Sequence, residues 1–518
     1  MDFIKEKTPP TREDRLAACQ AFGGFCPELS RAAKKGCLFQ AKRTFAQAQQ
    51  GCQLTLSLAI LMTMRDVVLI VHGPVGCGGS LVGQTGVTKN FQKLRDEQAT
   101  GLRWMNTNLD ETDVIKGGEE KLRSAVLHAE KEFRPAAIFV LNSCVPSLIG
   151  DDVDSILDEV QKQVAAKIVP IHCEGFRTKI QATAYDAVYH GILRNLMEKK
   201  YPEADLIRAE EEELMRQYRL SRTVNLINVS SMSRIDEVEL VRLLKALDLN
   251  VRILPCYAHP DDFETVDETA LNVSICSTHD DYFVEHVKTK YGIPFVLRTI
   301  PIGIANTNKW VMDIAKFFGL EERARKFIDA EVAELNGALA SYREALKGKR
   351  AFLTGGEIRI LATAELLHSL GMEIMGLKGY HFDRFGARLL DEVLEEVPES
   401  ERAIFSIGSG QPFEQANLFS KHKPDLYVGH TSGNGSAARQ GIPVFPLFGQ
   451  QYNYMGYLGV FEVAKRVTRI LKNTRFNENI SRHVKLPYTS DWYRQEPFSY
   501  IDDQGASKTT GEEEHHGD

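Results

Sequence analysis

Three cysteines in separate turns are the residues of this chain whose types and spacing point most directly to chemistry. Cys52 closes the turn QGC, Cys77 lies within HGPVGCGG, and Cys144 lies within NSCVP. Zinc ribbons and thioredoxin-like motifs pair their cysteines a few residues apart, and none of these three has such a neighbour. Loop cysteines that only the fold brings together suit an iron–sulfur cluster. Because three thiolates are an odd number for a self-contained cluster, we expect a second chain to complete the site.

The composition limits the classes of protein to which the chain can belong. The chain has 518 residues, 43% of them hydrophobic and 26% charged, with a formal net charge of −7, which is enough for two or three domains. No apolar run approaches membrane-spanning length, and the first residues lack the apolar core of a signal peptide, so we expect a cytoplasmic protein without a membrane partner. Disulfides are rare in that compartment. The mild acidity argues against a nucleic-acid partner.

Short β-rich runs alternate with amphipathic helical stretches, and these elements must position the cysteines. The pattern predicts strands at residues 67–72, 136–141, 167–172, 224–229, 251–255, 351–354, 372–375, 403–407, 425–428 and 443–447. This alternation is typical of parallel sheets built from βαβ units. We therefore predict an α/β fold of three Rossmann-like domains, with parallel sheets flanked by helices.

The predicted domain boundaries follow from the three clusters of strands. We expect an N-terminal extension over residues 1–44, Rossmann-like domains over 45–220, 221–348 and 349–490, and a C-terminal tail over 491–518 that is partly disordered. Cys19, Cys26 and Cys37 in the extension are interpreted as structural, and the sequence assigns no role to Cys256. Sites in such sheets form at the carboxyl ends of strands, where helix N-termini favour the thiolate of Cys77 and that of Cys144.

The segment VHGPVGCG around Cys77 closely resembles the nitrogenase α-subunit family, and three further blocks follow in the family's order. NSCVPSLIGDD around Cys144 resembles the second cluster-ligand segment. CEGFR, which begins at Cys173 and has Gln181 behind it, resembles the cofactor-side loop. NVSIC, which ends at Cys276 and precedes KYGIP, resembles the segment of the single thiolate ligand to the catalytic cofactor. The resemblance spans about residues 45 to 475.

This resemblance implies two cofactors and two protein partners. Cys52, Cys77 and Cys144 would hold a P-cluster, of the 8Fe–7S type, together with three cysteines of a homologous β-like subunit in an α2β2 assembly. Cys276 would bind a large iron–sulfur–carbide cofactor. Electrons would come from a separate ATP-hydrolysing iron protein, because the chain contains no Walker A sequence.

Four departures from molybdenum nitrogenase change what the resemblance implies. Gln450 stands where a histidine caps the heterometal, and an amide replaces imidazole poorly as a ligand to such a metal. The block GHTSGNG, which contains His430, lacks the lysine near homocitrate. Tyr185 replaces the histidine that relays protons, and Thr85 replaces an arginine near the substrate. The cofactor is therefore expected to lack molybdenum and homocitrate.

Other elements of the cofactor pocket are kept. Gly355 and Gly356 retain the family's glycine pair, and Arg359 would donate hydrogen bonds to cluster sulfides. His381 aligns near a pocket glutamate of nitrogenase.

The second protein ligand to the cofactor stays open between His381, His430 and Gln450. The candidates for moving protons or for hydrogen bonds in the pocket are Gln181, His381 and Tyr185.

The kept cysteines and the lost ligands together resemble the nitrogenase-like methylthio-alkane reductases. That resemblance implies ATP-dependent reductive cleavage of C–S bonds in small thioethers, an organosulfur substrate class, with release of methanethiol and an alkane or alkene. Two alternatives stay open: a scaffold for assembly of a nitrogenase-type cofactor, and the α subunit of an alternative nitrogenase. A nitrogenase-like reductase of tetrapyrroles is disfavoured, because those chains are shorter and lack a cofactor cysteine equivalent to Cys276.

Overall fold

The structure, a computed structural model, describes residues 3–35, 42–45, 52–197, 210–228, 232–297, 300–429, 431–447 and 451–502. Cys37, His430, Gln450 and the tail after residue 502 lie outside the described residues, so the predictions made for them stay predictions.

The β-rich runs of the sequence form strands where they were predicted, with ends that differ by a few residues. The strands, numbered in chain order, are β1 (Phe22–Phe25), β2 (Lys42–Arg43), β3 (Val67–His72), β4 (Arg103–Asn106), β5 (Ala137–Asn142), β6 (Lys167–His172), β7 (Thr223–Asn228), β8 (Asn250–Pro255), β9 (Leu271–Ser274), β10 (Phe295–Val296), β11 (Arg350–Gly355), β12 (Glu373–Gly379), β13 (Ile404–Ile407), β14 (Leu426–Gly429), β15 (Val444–Pro446) and β16 (Ile501–Asp502).

Helices connect most of these strands. They are α1 (Arg12–Leu16), α2 (Cys26–Lys35), α3 (Gln53–Leu61), α4 (Val75–Gly78), α5 (Gln84–Lys93), α6 (Glu111–Lys116), α7 (Glu119–Phe133), α8 (Cys144–Ile149), α9 (Val153–Val160), α10 (Thr183–Asn195), α11 (Glu210–Arg222), α12 (Arg234–Ala246), α13 (Ser277–Tyr291), α14 (Ile304–Phe318), α15 (Glu321–Leu346), α16 (Glu357–Ser369), α17 (Arg384–Glu396), α18 (Pro412–His422), α19 (Thr431–Arg439), α20 (Gly456–Leu471), α21 (Arg475–His483) and α22 (Ser490–Arg494). None of these described helices has both the length and the apolar composition needed to cross a bilayer.

Three larger sheets organise the described chain. The first has strand order β4-β3-β5-β6 and the second β10-β9-β7-β8, and both are parallel throughout. The third has strand order β1-β13-β12-β11-β14-β15 and is parallel except for β1. The predicted α/β fold with parallel sheets flanked by helices is confirmed, whereas the boundaries of the domains stay a prediction.

The N-terminal extension contributes a strand that the sequence pattern did not predict. β1 has the sequence FGGF and pairs antiparallel with β13, with Phe22 opposite Ile407. Gly23 lies directly against the ring of Phe498, which leaves no room for a Cβ. Two glycines in four residues disfavour a strand locally, so pairing with the edge of a formed sheet must supply its stability.

The hydrophobic cores cross from one sheet to the next. The largest buried cluster joins the second and third sheets and includes Cys19 and Cys26 of the extension, as their interpretation as structural residues requires. Another cluster covers one face of the first sheet and includes Tyr282 and Phe283 of α13, which belongs to the second. The three sheets therefore share their buried surfaces.

A buried cation links the helices of all three sheets. Arg12 is fully buried and pairs with Asp186 of α10 at 3.1 Å, with Asp281 of α13 at 3.1 Å, and with Asp383, the N-cap of α17, at 3.0 Å. Arg15 adds pairs to Asp186 at 2.8 Å and to Asp281 at 2.7 Å. Burial disfavours the charge of Arg12, but the three carboxylates outweigh it and raise the pKa of Arg12 well above its ordinary value.

Replacing Arg12 by glutamine is expected to destabilise the protein, because it leaves buried carboxylates without their shared cation. Loss of one partner from a buried ion pair costs about 3–5 kcal/mol, and the measurement is the midpoint of thermal unfolding. Lys34→Gln is the control, because Lys34 pairs with Asp391 at the surface, where such pairs contribute about 0–1 kcal/mol. Equal midpoints for the two variants would contradict the importance of the Arg12 network.

Candidate functional site

The three turn cysteines lie at one edge of the first sheet. Cys77 is in α4, directly after β3, and Cys144 is the first residue of α8, after the neighbouring strand β5. Cys52 is the N-cap of α3. Because neighbouring parallel strands end at the same edge of a sheet, the fold brings together turns that are far apart in sequence.

Gly175 lies close to two of these cysteines. A Cβ built on Gly175 would lie 2.7 Å from Cβ of Cys52 and 3.7 Å from Sγ of Cys144, and Cys77 is near enough to interact electrostatically with both. Among the described residues, the one group of three or more histidine, cysteine or acidic side chains with ligand atoms within 4.8 Å of one another lies elsewhere. The thiols are thus spread more widely than ligands of a single ion, as a cluster of several irons requires.

The helix N-termini do not lower the pKa of Cys77, contrary to our expectation. Burial raises the pKa of this thiol, and the neighbouring Cys144 and Cys52 raise it further, while the nearby Ser143 hydroxyl favours the thiolate. α4 has only four residues and a correspondingly small dipole. Deprotonation of Cys77 must therefore come from binding a metal rather than from the apoprotein.

The edge of the first sheet that carries Cys52, Cys77 and Cys144 lies at the protein surface, among apolar side chains. Cys52 is exposed, and Cys77 and Cys144 are half-buried. Large apolar residues close to them in sequence are also exposed: Val75, Val82, Leu148 and Phe176. Exposed apolar patches of this kind mark surfaces that bind another protein.

Buried polar residues hold the loop that carries Gly175. The carbonyl of Glu174 accepts a hydrogen bond from Gln53 at 2.6 Å, and its carboxylate accepts one from Asn142 at 2.9 Å. His172 lies 3.0 Å from Asp154 and 3.3 Å from Glu174. Burial disfavours its charge, but these carboxylates raise the pKa of His172 to about 9. No spacing in the sequence identified these residues.

Gln181 lies beside the exposed cysteines, where its amide donates to the carbonyl of Cys52 over 3.4 Å.

Cys276 occupies a second, buried site at the N-terminus of α13. It is only 2% exposed and is the N-cap of this 15-residue helix. The hydroxyl of Ser274 accepts a hydrogen bond from the Cys276 amide at 2.9 Å and donates one to Asp280 at 2.6 Å, which fixes the turn. Burial raises the pKa of the Cys276 thiol to about 12, although the charge of Arg359 opposes this shift.

Arg359 brings a buried donor to the side of Cys276. It interacts electrostatically with Cys276, Tyr185 and Tyr454, and its Nη1 donates to the Tyr454 hydroxyl. Its Nη2 is buried without a hydrogen-bond partner among the described residues. Gly355 ends β11 and Gly356 caps α16, where a Cβ on Gly356 would meet nothing within 4 Å. A thiol, an unsatisfied cationic donor and open space fit a large iron–sulfur cofactor.

Two aromatic rings form another wall of this site. The ring of Tyr185 lies against that of His279 in a tilted arrangement, with centroids 4.3 Å apart, and His279 follows Cys276 by one turn of α13. Burial lowers the pKa of His279 well below its ordinary value, and the charge of Arg359 lowers it further. Sequence reasoning missed His279, although its three-residue spacing from Cys276 on a helix was a usable signal.

His381 belongs to a buried ion-pair network rather than to a cluster of free ligands. Its Nε2 lies 3.3 Å from Glu357 and 3.8 Å from Asp383. Glu357 also accepts a hydrogen bond from Thr278, and Asp383 is paired with Arg12. Burial disfavours the imidazolium, but the Glu357 carboxylate outweighs it and raises the pKa of His381. His381 thus lies in the same region as Cys276. Its Nε2 already pairs with the Glu357 carboxylate.

The family model "Nitrogenase component 1 type Oxidoreductase" matches residues 52–472. A nitrogenase iron–molybdenum cofactor biosynthesis protein NifE of Rippkaea orientalis is 28% identical over 486 residues, which cover 90% of this chain and 93% of that protein. A nitrogenase molybdenum–iron protein alpha chain of Methanosarcina barkeri is 29% identical over 365 residues, which cover 67% and 64%.

Among solved structures, nitrogenase Cp1 at pH 5 aligns with a TM-score of 0.69 and 22% identity, and the alignment covers 86% of this chain and 92% of that one. At this identity the likeness concerns the fold alone.

Replacing Gly175 by alanine is expected to displace Cys52 and reduce the iron bound at the exposed cysteines, because the added Cβ would clash with this residue. Gly79→Ala is the matched control, since a Cβ there meets nothing within 4 Å in this chain. Iron content and the iron–sulfur absorption of the purified protein measure the effect. Full iron binding by the Gly175→Ala variant would contradict the placement of the cluster.

Proposed function

The chain belongs to the nitrogenase component 1 type oxidoreductases, and on this premise we propose that it is an α-type subunit that holds two iron–sulfur groups. Cys52, Cys77 and Cys144 supply half of the ligands of a P-cluster, and a homologous β-like subunit supplies the rest. Cys276 binds a large iron–sulfur–carbide cofactor.

One observation carries this proposal: the chain has two thiol sites of opposite exposure. The three cysteines at the edge of the first sheet face the surface among apolar side chains, as a cluster shared with a partner needs. Cys276 is buried beside a cationic donor that lacks a partner among the described residues. A shared surface cluster and an internal cofactor are the arrangement by which electrons pass from one partner to a protected site.

The residues around Cys276 have separable tasks. The bound cofactor supplies the electron chemistry. Cys276 gives up its proton on binding, since its thiol is protonated at neutral pH in the apoprotein. Arg359 offers Nη2, which is buried without a partner among the described residues, as a donor to the bound group, and Gly356 leaves room for it. Nε2 of His381 lies at an ion-pair distance of 3.3 Å from Oε1 of Glu357, whose carboxylate favours the protonated imidazole and raises the pKa of His381.

The proposal extends to the partners and to the metal content. The assembly is α2β2, and an ATP-hydrolysing iron protein delivers electrons. The cofactor lacks molybdenum and homocitrate, a proposal supported by Gln450 and Tyr185, which replace two histidines of molybdenum nitrogenase. The second protein ligand to the cofactor is one of His381, His430 and Gln450.

Similarity to known proteins favours an assembly role. The relatives that align over most of the chain include NifE cofactor biosynthesis proteins of two organisms, Rippkaea orientalis and a Nostoc species, at 28% and 27% identity. On this interpretation the chain is a scaffold on which a nitrogenase-type cofactor is built and from which it is passed on.

The enclosure of Cys276 supports a second candidate, a reductase that cleaves small thioethers to methanethiol and an alkane or alkene. Cys276 is only 2% exposed, with Arg359, Tyr185 and Tyr454 around it. A cofactor that stays for many turnovers benefits from such enclosure, whereas a scaffold must release its product.

A single preparation distinguishes the two roles. The complex with its partner is purified without oxygen and divided between two assays. A scaffold is expected to transfer its cofactor to cofactor-free nitrogenase and to release no methanethiol. A reductase is expected to keep its iron and to release methanethiol from dimethyl sulfide when the iron protein, ATP and a reductant are present. Intact clusters with neither activity would contradict both roles.

Replacing Cys276 by alanine is expected to abolish the cofactor signal and leave the P-cluster signal intact, because only the buried site loses its thiolate. Cys256→Ala is the matched control: Cys256 is also 2% exposed, and burial likewise raises its pKa to about 12. Electron paramagnetic resonance and iron content report the two groups separately. A cofactor signal that survives in the Cys276→Ala protein would refute the ligand assignment.

A further inference from the structure

The segment of residues 7–19, here called the N-terminal segment, contacts each of the chain stretches that surround Cys276. It includes α1 and the Arg12 network, and it lies outside the residues matched by the family model. The structure gives these contacts as hydrogen bonds and ion pairs, so each one can be removed separately.

The first contact is with the loop that leads into α10. Glu13 accepts hydrogen bonds from the amide of Lys179 at 2.8 Å and from the hydroxyl of Thr178 at 2.8–2.9 Å. Arg177 donates to the hydroxyl of Thr8 at 3.0 Å. This loop precedes Gln181 and Tyr185, so the N-terminal segment ties down the stretch from which Tyr185 reaches the site.

The second contact is with the start of α13. Nη1 of Arg12 donates to the carbonyl of Thr278 at 3.0 Å, two residues after Cys276, and pairs with Asp281 on the same helix. The Arg12 guanidinium therefore contacts the first turn of α13, which follows Cys276.

The third contact is with the stretch that contains His381. Cys19 and Phe382 exchange two backbone hydrogen bonds, of 2.7 and 3.0 Å, and Nη2 of Arg12 pairs with Asp383. The N-terminal segment therefore contacts the residues directly after His381, as well as the loop before α10 and the start of α13.

The N-terminal segment is attached by the buried ion pairs and hydrogen bonds above and by a small apolar cluster, in which Leu16 and Ala18 pack with Ile180 and Ala182. α1 has five residues, of which Arg12 and Leu16 are buried. Short elements with few buried apolar contacts open at a lower free energy than the rest of a fold. The segment contributes no strand to the three larger sheets, so its release would remove the contacts with all three stretches and leave the strand pairing in place.

We propose that the N-terminal segment is a latch that closes the Cys276 site, and that its release admits or frees the group bound there. The closure rests on the contacts above, whereas the identity of the bound group rests on the proposed function.

Alkylation of Cys276 in the cluster-free, full-length chain tests the latch. The probe is N-ethylmaleimide, and mass spectrometry follows each cysteine over time. In the Arg12→Gln variant, Cys276 is expected to react about tenfold faster or more than in the unaltered chain, because local opening becomes more frequent. Cys256 is the internal control, since its exposure and its pKa match those of Cys276. Arg12→Lys restores the charge and is expected to return the rate toward that of the unaltered chain.

A second variant keeps the test valid where Arg12→Gln does not fold. Glu13→Ala removes the contact with residues 178–180 and leaves the buried ion pairs in place, and it is expected to accelerate Cys276 and leave Cys256 at the unaltered rate. The latch is wrong if Cys276 reacts at the unaltered rate in folded variants, or if Cys256 accelerates equally. The assay uses protein without clusters, so its failure leaves the proposed function standing. Absence of a cofactor at Cys276 in the holoprotein would overturn that function and leave the latch intact.

Discussion

The ion pairs of Arg12 with Asp186, Asp281 and Asp383 are the interaction on which the arrangement of the three sheets depends. Each carboxylate comes from the region of a different sheet, and Arg12 reaches all three only where these regions converge. Burying three carboxylates without a cation would be prohibitively unfavourable. Arg12, with Arg15 as a second cation for Asp186 and Asp281, therefore joins three βαβ units that also share hydrophobic cores.

The site at Cys276 is a consequence of that convergence. Cys276 comes from the second sheet, Tyr185 from a helix packed on the first, and Arg359 and His381 from the third. No single unit supplies a thiolate, a cationic donor and an aromatic wall together. The exposed cysteines differ in this respect, because Cys77 and Cys144 follow neighbouring strands of one sheet. The exposed cysteines thus lie at the edge of one sheet, while the Cys276 site lies at the junction of all three sheets.

Electrostatics distinguish the two sites in the same way. Burial raises the pKa of the Cys276 thiol to about 12 and leaves Nη2 of Arg359 without a partner among the described residues. In the apoprotein the neutral thiol of Cys276 is favoured, so its deprotonation is a cost that thiolate binding has to overcome. The buried Nη2 of Arg359 has the opposite effect, because a bound group that accepts a hydrogen bond would satisfy it.

The sequence by itself determined the parallel α/β fold and singled out the cysteines that lie in turns, because apolar β-rich runs and turn residues act locally. Strands β3 and β6 begin and end where the pattern predicted. β1 was missed because the two glycines of FGGF lower its strand propensity, and the strand gains its stability from the edge of the third sheet. Arg12 and Glu357 were missed because only tertiary convergence gives them partners. Long-range burial of charge decided the site, and no local pattern in the sequence encodes which distant carboxylates will share one cation.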